Sequence, residues 1–202
     1  MNEIIDAEFE QFERLVQSDY MQYYNRAKRA LSQKRFNHSV MTAFTGQLLA
    51  QKHGQSRENA IICGLLHDIT KELSDSEQLI IINKYDIMLK WHEKDTPKLW
   101  HPVTAAALCR HEFSLSEQIA NAVLVHQSGS ESMTELDKVV FLADYIEPTR
   151  DFSGVEEVRA LAWESLDRAM FKAVGNNIIE LIEKNCRLNQ GHIETYNRFH
   201  GA

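Results

Sequence analysis

The sequence AIICGLLHDITKEL occupies residues 60–73 and begins with a run that is apolar on every face of a helix. We therefore expect the helix over 60–66 to lie at the centre of the fold. The run ends at His67 and Asp68, and burying an imidazole and a carboxylate without partners costs several kcal/mol. These two side chains therefore need partners. From this stretch alone, the partners can be each other, the backbone or a metal ion.

The chain on either side of this stretch is also helical by pattern. Only 8 Gly and 3 Pro occur among 202 residues, so turn signals are too sparse for an all-β sandwich or barrel. We predict an all-α bundle and expect residues 187–202 to be polar and irregular. Apolar residues at helical spacing predict helices over 4–17, 19–31, 34–53, 60–66, 76–85, 102–110, 116–126, 134–146 and 155–186.

The net charge of the chain is -7 with its 9 His neutral. An acidic protein is poorly suited to non-specific nucleic-acid binding, which depends on Lys and Arg contacts to phosphate. No stretch approaches the length of an apolar membrane span, and the acidic start MNEIIDAEFEQFE does not resemble a signal peptide. The three Cys have no CxxC spacing, which disfavours a disulfide framework or a thiolate zinc site. We expect a cytoplasmic protein that binds neither nucleic acid nor membrane.

Four further polar side chains occur on apolar helix faces or at helix starts, namely His38, His101, His126 and Asp144. Taken alone, each histidine is more often a satisfied core or capping residue. Together with His67 and Asp68, they form a set of four His and two Asp on helix ends that can converge. Imidazole and carboxylate ligands suit iron, zinc and similar ions, and such ions activate water near neutral pH.

The order and surroundings of these residues resemble the HD-domain metal-dependent phosphohydrolases. More specifically, the chain resembles the YqeK family, the symmetrical dinucleoside tetraphosphate hydrolases of bacteria. Two departures stand beside proposed site residues, since the family often has HTTG in place of HQSG and HGP in place of HPV. The blocks that carry the resemblance are RFNH (35–38), GLLHDITKEL (64–73), HPVTAA (101–106), VLVHQSG (123–129) and FLADYIEPTRDFSGVEEVR (141–159).

The resemblance implies a metal-dependent hydrolase with an HD-domain fold over residues 31–202, preceded by a helical extension over 1–30 that packs on it. It implies that His38, His67, Asp68 and Asp144 are metal ligands. His101 and His126 are then ligands of a second ion or contacts to substrate phosphate. We expect one or two divalent ions and name iron as the metal, with zinc, manganese and cobalt also compatible with these ligands.

The implied reaction is the cleavage of diadenosine tetraphosphate into two ADP, by attack of a metal-bound hydroxide held at Asp68. A substrate with four phosphates needs cations, and Arg35, Lys71 and Arg150 lie near the proposed ligands in sequence. An ordinary surface ion pair is the alternative for each of them. We also name, as contacts to the nucleotide, Gln127, Arg187, Gln190 and His192.

Other functions remain open from the sequence. The same scaffold could act on another nucleotide phosphoester, as a nucleotidase or phosphodiesterase. It could also be an HD-type di-iron oxygenase or a non-catalytic HD module, although all six candidate ligands are present. The stripe of Ile5, Phe9, Phe12 and Val16 must be buried, either within the chain or across a homodimer.

Overall fold

The chain is mainly helical over residues 3–202, which are the residues that the computed structural model describes. The side chains of residues 3–6 and 92 lie outside the description, so the expectation for Ile5 is not addressed. No β-strand occurs in this range, and the predicted all-α fold is confirmed. The helices are α1 (Glu3–Ser18), α2 (Met21–Ala30), α3 (Gln33–Lys52), α4 (Arg57–Leu66), α5 (Asp75–Lys84), α6 (Trp91–Lys94), α7 (Trp100–His111), α8 (Glu117–Val125), α9 (Glu135–Ile146), α10 (Val155–Glu164), α11 (Leu166–Glu183) and α12 (Gln190–Phe199), with a 3-10 turn over Pro97–Leu99 before α7.

Helix α4 lies at the centre, as its composition predicts. The side chain of Ser56 accepts a hydrogen bond from the backbone N–H of Asn59 and so caps the helix. All residues from Ala60 to Leu66 are buried, against α2, α3, α8 and α9. A Cβ atom added at Gly64 would lie 2.4 Å from Cα of Ala43, so the absence of a side chain lets α3 and α4 approach backbone to backbone.

The N-terminal helix packs within the chain. Phe12 and Val16 are 2% and 0% exposed, and the ring of Phe12 lies 5.3 Å from that of Phe44 on α3. Phe9 contacts the same ring edge-on. The described apolar side chains of this stripe, Phe9, Phe12 and Val16, therefore pack within the chain. None of the helices described above combines the length and apolar composition that a membrane crossing requires.

Two sequence expectations about the C-terminal third were wrong. Residues 155–186 form two helices rather than one, because Ser165 has an extended backbone and its hydroxyl caps α11. Residues 190–199 form α12 rather than an irregular tail. Its N-cap is Asn189, and His192, Thr195 and Phe199 make a buried face at spacings of three and four residues.

The packing brings several helix ends together at one side of the bundle. Helix α3 packs on α4 and α9, and α8 packs on α4, α7 and α9. The first turns of α3 and α7 consequently meet the last turns of α4, α8 and α9. The polar residues singled out in the sequence lie at these ends.

Candidate metal centre

The four predicted histidines present the same ring nitrogen to one centre. In each ring, Nδ1 lies close to an oxygen that can only accept a hydrogen bond, so Nδ1 holds a proton and Nε2 faces the centre. Three of these oxygens are backbone carbonyls three residues earlier, which means that local helix geometry orients the ring. The Nδ1 contacts are His67 to Gly64 O (2.8 Å), His126 to Val123 O (2.7 Å), His101 to Lys98 O (3.1 Å) and His38 to Glu147 Oε1 (3.1 Å).

Asp68 stands between two pairs of histidines. The Nε2 atoms of His38 and His67 are 3.3 Å apart, and those of His101 and His126 are 3.4 Å apart. Asp68 Oδ2 lies 3.5 Å from His67 Nε2, whereas Oδ1 lies 3.3 Å from His101 Nε2. One carboxylate thus faces both pairs, in the arrangement suited to bridging two ions or to joining one ion to a bound phosphate.

Asp144 completes the side of the site that contains His38. Its Oδ1 lies 2.9 Å from His38 Nε2 and 3.8 Å from His67 Nε2. We call His38, His67, Asp68 and Asp144 the first donor group, and Asp68, His101 and His126 the second donor group. Within three overlapping triads of these residues, the ligand atoms all lie within 4.8 Å of one another.

The donor atoms fit a divalent cation. With Nδ1 protonated, the Nε2 atoms of His101 and His126 are two acceptors that face each other. Asp68 Oδ1 is buried and has no hydrogen-bond partner among the described residues. Acceptors that face each other in a buried site are costly unless positive charge lies between them. Imidazole nitrogen and carboxylate oxygen together are a donor set for iron, zinc, manganese or cobalt.

The protonation states also suit ligands. Burial would raise the pKa of Asp68, but the adjacent imidazoles of His67 and His126 and the ammonium of Lys71 hold it well below its usual value. The pKa of Asp144 is likewise well below normal, because His38 and Arg150 outweigh burial. Burial lowers the pKa of His67 and, more strongly, that of His101. Anionic carboxylates and neutral imidazoles are the forms that bind metal.

His38 differs from the other histidines because it lies between two carboxylates. Although burial lowers its pKa, hydrogen bonds to Asp144 and Glu147 raise that pKa above the ordinary value. Its Nε2 lies 2.9 Å from Asp144 Oδ1, so a proton on this nitrogen would take the position where a metal ion places its own positive charge. Metal and proton compete for this nitrogen.

Three cationic side chains surround the donor groups, each about one-third exposed. Arg35 Nη1 lies 2.8 Å from Asp68 Oδ2, and Arg150 Nη2 lies 2.6 Å from Asp144 Oδ1. Lys71 Nζ lies 2.9 Å from His101 Nε2 and so supplies a cation to the second donor group. The structure brings together all three cations that the sequence analysis named.

Sequence reasoning missed Glu147, which is fully buried behind His38. Besides the His38 ring, its carboxylate accepts hydrogen bonds from the backbone N–H and the hydroxyl of Thr149, at 2.7 and 2.5 Å. Arg159 fixes the same loop by donating to the carbonyl oxygens of Ile146, Glu147 and Arg150. A carboxylate behind a ligating histidine orients the ring and raises its basicity. The sequence did contain a signal for Glu147, because it follows Asp144 by three residues and residues at that spacing are neighbours on a helix.

The predicted tail contacts are less central. Arg187 and Gln190 are exposed, and Gln190 donates to Glu194 on its own helix. His192 is buried, and Asn189, which caps its helix, donates a hydrogen bond to Ser128 in the loop that follows His126. Gln127 lines a cavity of about 580 Å³ that opens beside the first donor group, together with His126, Asp144 and Arg150.

Known proteins are similar to this chain over most of its length. The HD domain family model matches residues 35–149. A protein of Bacillus subtilis named symmetrical bis(5'-nucleosyl)-tetraphosphatase is 35% identical over 173 residues, which cover 84% of this chain and 91% of that protein. A protein of the same name from Staphylococcus aureus is 29% identical, over 86% of this chain and 90% of its own length.

A solved structure from Clostridium acetobutylicum has a similar fold. That protein is described as a predicted HD superfamily hydrolase involved in NAD metabolism. It superposes with a TM-score of 0.85 at 30% sequence identity, over 89% of this chain and 96% of that one.

Proposed function

This chain belongs to the HD domain family, and from that membership we propose that it is a metal-dependent hydrolase that cleaves diadenosine tetraphosphate symmetrically into two ADP. The observation that carries the proposal is the convergence of four Nε2 atoms and two carboxylates beside three cations. Metal ligands next to cationic side chains are suited to hydrolysis of a phosphoanhydride bond. The relatives that share most of the chain are named for this reaction.

We propose that the first donor group holds the resident ion. A divalent cation there supplies Lewis acidity and lowers the pKa of a water molecule. Lys71 already places a positive charge at the second donor group, which favours a phosphate beside His101 and His126 over a second ion. The ammonium of Lys71 donates to that phosphate, and the two imidazoles do so when their Nε2 atoms are protonated. We propose iron as the metal, and elemental analysis of protein purified without chelator discriminates it from zinc, manganese or cobalt.

The cations provide the charge that a tetraphosphate needs. Arg35 and Arg150 are paired with Asp68 and Asp144, and both guanidinium groups are exposed enough to exchange a carboxylate for a phosphate. Their planar N–H groups can bind phosphate oxygens bidentately. The ammonium of Lys71 donates a hydrogen bond to His101 Nε2 and can equally donate one to a phosphate oxygen as charge develops on it.

Product analysis tests the function directly. The holoenzyme is incubated with diadenosine tetraphosphate, and the nucleotides are separated by chromatography. ADP as the sole product supports symmetrical cleavage, whereas AMP with ATP, or no turnover, would overturn it. Activity that requires dioxygen would point instead to an HD-type oxygenase, so the assay is repeated under anaerobic conditions.

The remaining expectations are also proposals. We propose a cytoplasmic enzyme whose partner is a nucleotide polyphosphate, in keeping with its net charge of -7. We propose that residues 1–30 are a helical extension of the HD domain over 31–202, since Phe12 and Val16 pack against α3 and its neighbours. A homodimer stays a prediction for light scattering, and its interface would have to lie elsewhere than the buried stripe of α1.

A further inference from the structure

The cavity beside the first donor group is also lined by residues that do not belong to the metal centre. Its near wall contains Asp144 and Arg150, which belong to the site already described. Its volume of about 580 Å³ lies within the usual range for small-molecule pockets. The far wall comes from the loop before α10 and from α11, and it contains Phe152, Asn176, Asn177, Ile179, Glu180 and Glu183.

Two exposed apolar side chains line this far wall. Phe152 is 39% exposed, and its ring packs edge-on against Tyr145 at 5.0 Å, which fixes the plane of the ring. Ile179 is 56% exposed although it lines a cavity. Apolar groups left open inside a concave site gain free energy when a flat ligand covers them.

Two amide side chains, Asn176 and Asn177, line the same wall. Asn176 Nδ2 donates to Tyr145 Oη at 3.3 Å, and it lies 2.9 Å from the place where a Cβ atom of Gly154 would be. Asn176 is thus packed into position. The side-chain amide of Asn177 has no hydrogen-bond partner within the described part of the chain. A free carboxamide offers one acceptor and two donors, the combination that matches the edge of a nucleobase.

Charge changes sign along the cavity. Arg150 is paired with Asp144 of the metal centre, whereas Glu180 and Glu183 line the cavity about one and two helical turns beyond Asn176 on α11. Phosphate is attracted to Arg150 and repelled by the two glutamates, whose carboxylates can accept hydrogen bonds from ribose hydroxyls or an exocyclic amine. A ligand with phosphate at one end and a nucleoside at the other fits this polarity in only one orientation.

We propose that this cavity binds the nucleoside of one half of the substrate, with Phe152 and Ile179 contacting the faces of the base and Asn177 reading its edge. The inference rests on the proposed function, because it takes phosphate to lie at the metal centre. It makes Phe152, Asn177 and Ile179 determinants of specificity for nucleoside-bearing ligands.

The test compares ligands with and without a nucleoside on the metal-loaded protein. Binding of ADP and of inorganic pyrophosphate is measured by calorimetry for the wild type and for Phe152→Ala, Asn177→Ala and Ile179→Ala. Two substitutions are matched controls. Ile182→Ala removes an exposed isoleucine one turn along α11 that does not line the cavity, and Trp163→Ala removes an aromatic ring that is 40% exposed on α10.

We expect the Phe152 and Ile179 variants to bind ADP at least tenfold more weakly while pyrophosphate binding stays within twofold. The control variants should match the wild type, and Phe152→Tyr should retain ADP binding. Equal loss for ADP and pyrophosphate, or unchanged ADP binding in all three cavity variants, would overturn the nucleoside site. Product analysis of the wild type is independent of these variants, so failure of the proposed reaction is seen separately.

Discussion

Replacing Glu147 by Gln tests how the metal centre is supported from behind. The carboxylate of Glu147 is fully buried, accepts a hydrogen bond from His38 Nδ1 at 3.1 Å and is itself held by two donors of Thr149. Gln keeps the shape but removes the negative charge. It also turns one acceptor into a donor that faces Thr149 or His38.

The expected loss follows from these contacts. Substitution of a partner behind a ligating histidine typically weakens metal affinity by about 10- to 100-fold, equivalent to about 1.4–2.7 kcal/mol. The misplaced amide adds a local cost of about 1–3 kcal/mol to folding. Because no side-chain bulk is lost, the protein should still fold with a reduced Tm.

The assay is a competition between protein and a chelator of known affinity, for the wild type and Glu147→Gln. Glu164→Gln is the control, since Glu164 is an exposed carboxylate whose partner is Arg168. We expect metal affinity to fall in the Glu147 variant alone, with kcat for the fully loaded enzyme less affected than its metal requirement. A folded Glu147→Gln protein that binds metal within twofold of the wild type would refute the role given to this carboxylate.

Three other predictions address the site, the helix packing and the pH dependence. Asp68→Ala should remove bound metal and activity together, as measured by elemental analysis and product formation; full activity without metal would contradict the proposed centre. Gly64→Ala forces a Cβ atom to within 2.4 Å of Ala43 Cα and should cost at least about 1–3 kcal/mol, measured by urea unfolding; an unchanged midpoint would refute the close helix contact. Burial lowers the pKa of His192 to about 4, whereas its pKa in the unfolded chain is about 6.5. Because the unfolded chain takes up a proton first, the stability of the folded protein is at its full value above about pH 6.5 and falls as the pH drops toward 4. At pH 5 the loss should be about 2 kcal/mol relative to pH 7. Between pH 7 and pH 5, the non-titrating variant His192→Gln should lose about 2 kcal/mol less stability than the wild type. An equal loss in both proteins would show that His192 is not responsible.

The sequence predicts the ligand set better than it predicts the groups that support it. His67, His126 and Asp144 stand out because polar residues at the ends of buried helices are costly and require a partner. Glu147 does not stand out, because a carboxylate at a helix end is usually a solvated residue. Only the packing of α9 against α3 turns it toward His38 and excludes water from it.

The C-terminal errors have a local cause. Ser165 is compatible with a helix interior, and only its extended backbone in the folded chain separates α10 from α11. Helix α12 is ten residues long, and an isolated helix of that length is marginal in water. It forms because Thr195 and Phe199 are buried against the rest of the bundle, which composition does not reveal.

The sequence by itself determined the helical class and indicated the candidate donors, because periodicity and residue chemistry are properties of the chain. The folded structure alone decided which nitrogen of each ring faces the centre, which carboxylate stands behind His38 and where the cavity opens. His38 and Glu147 are 109 residues apart in the chain, and their contact depends on how whole helices pack. Side-chain packing at angstrom scale sets such contacts, and it involves the joint placement of helices that no local pattern specifies.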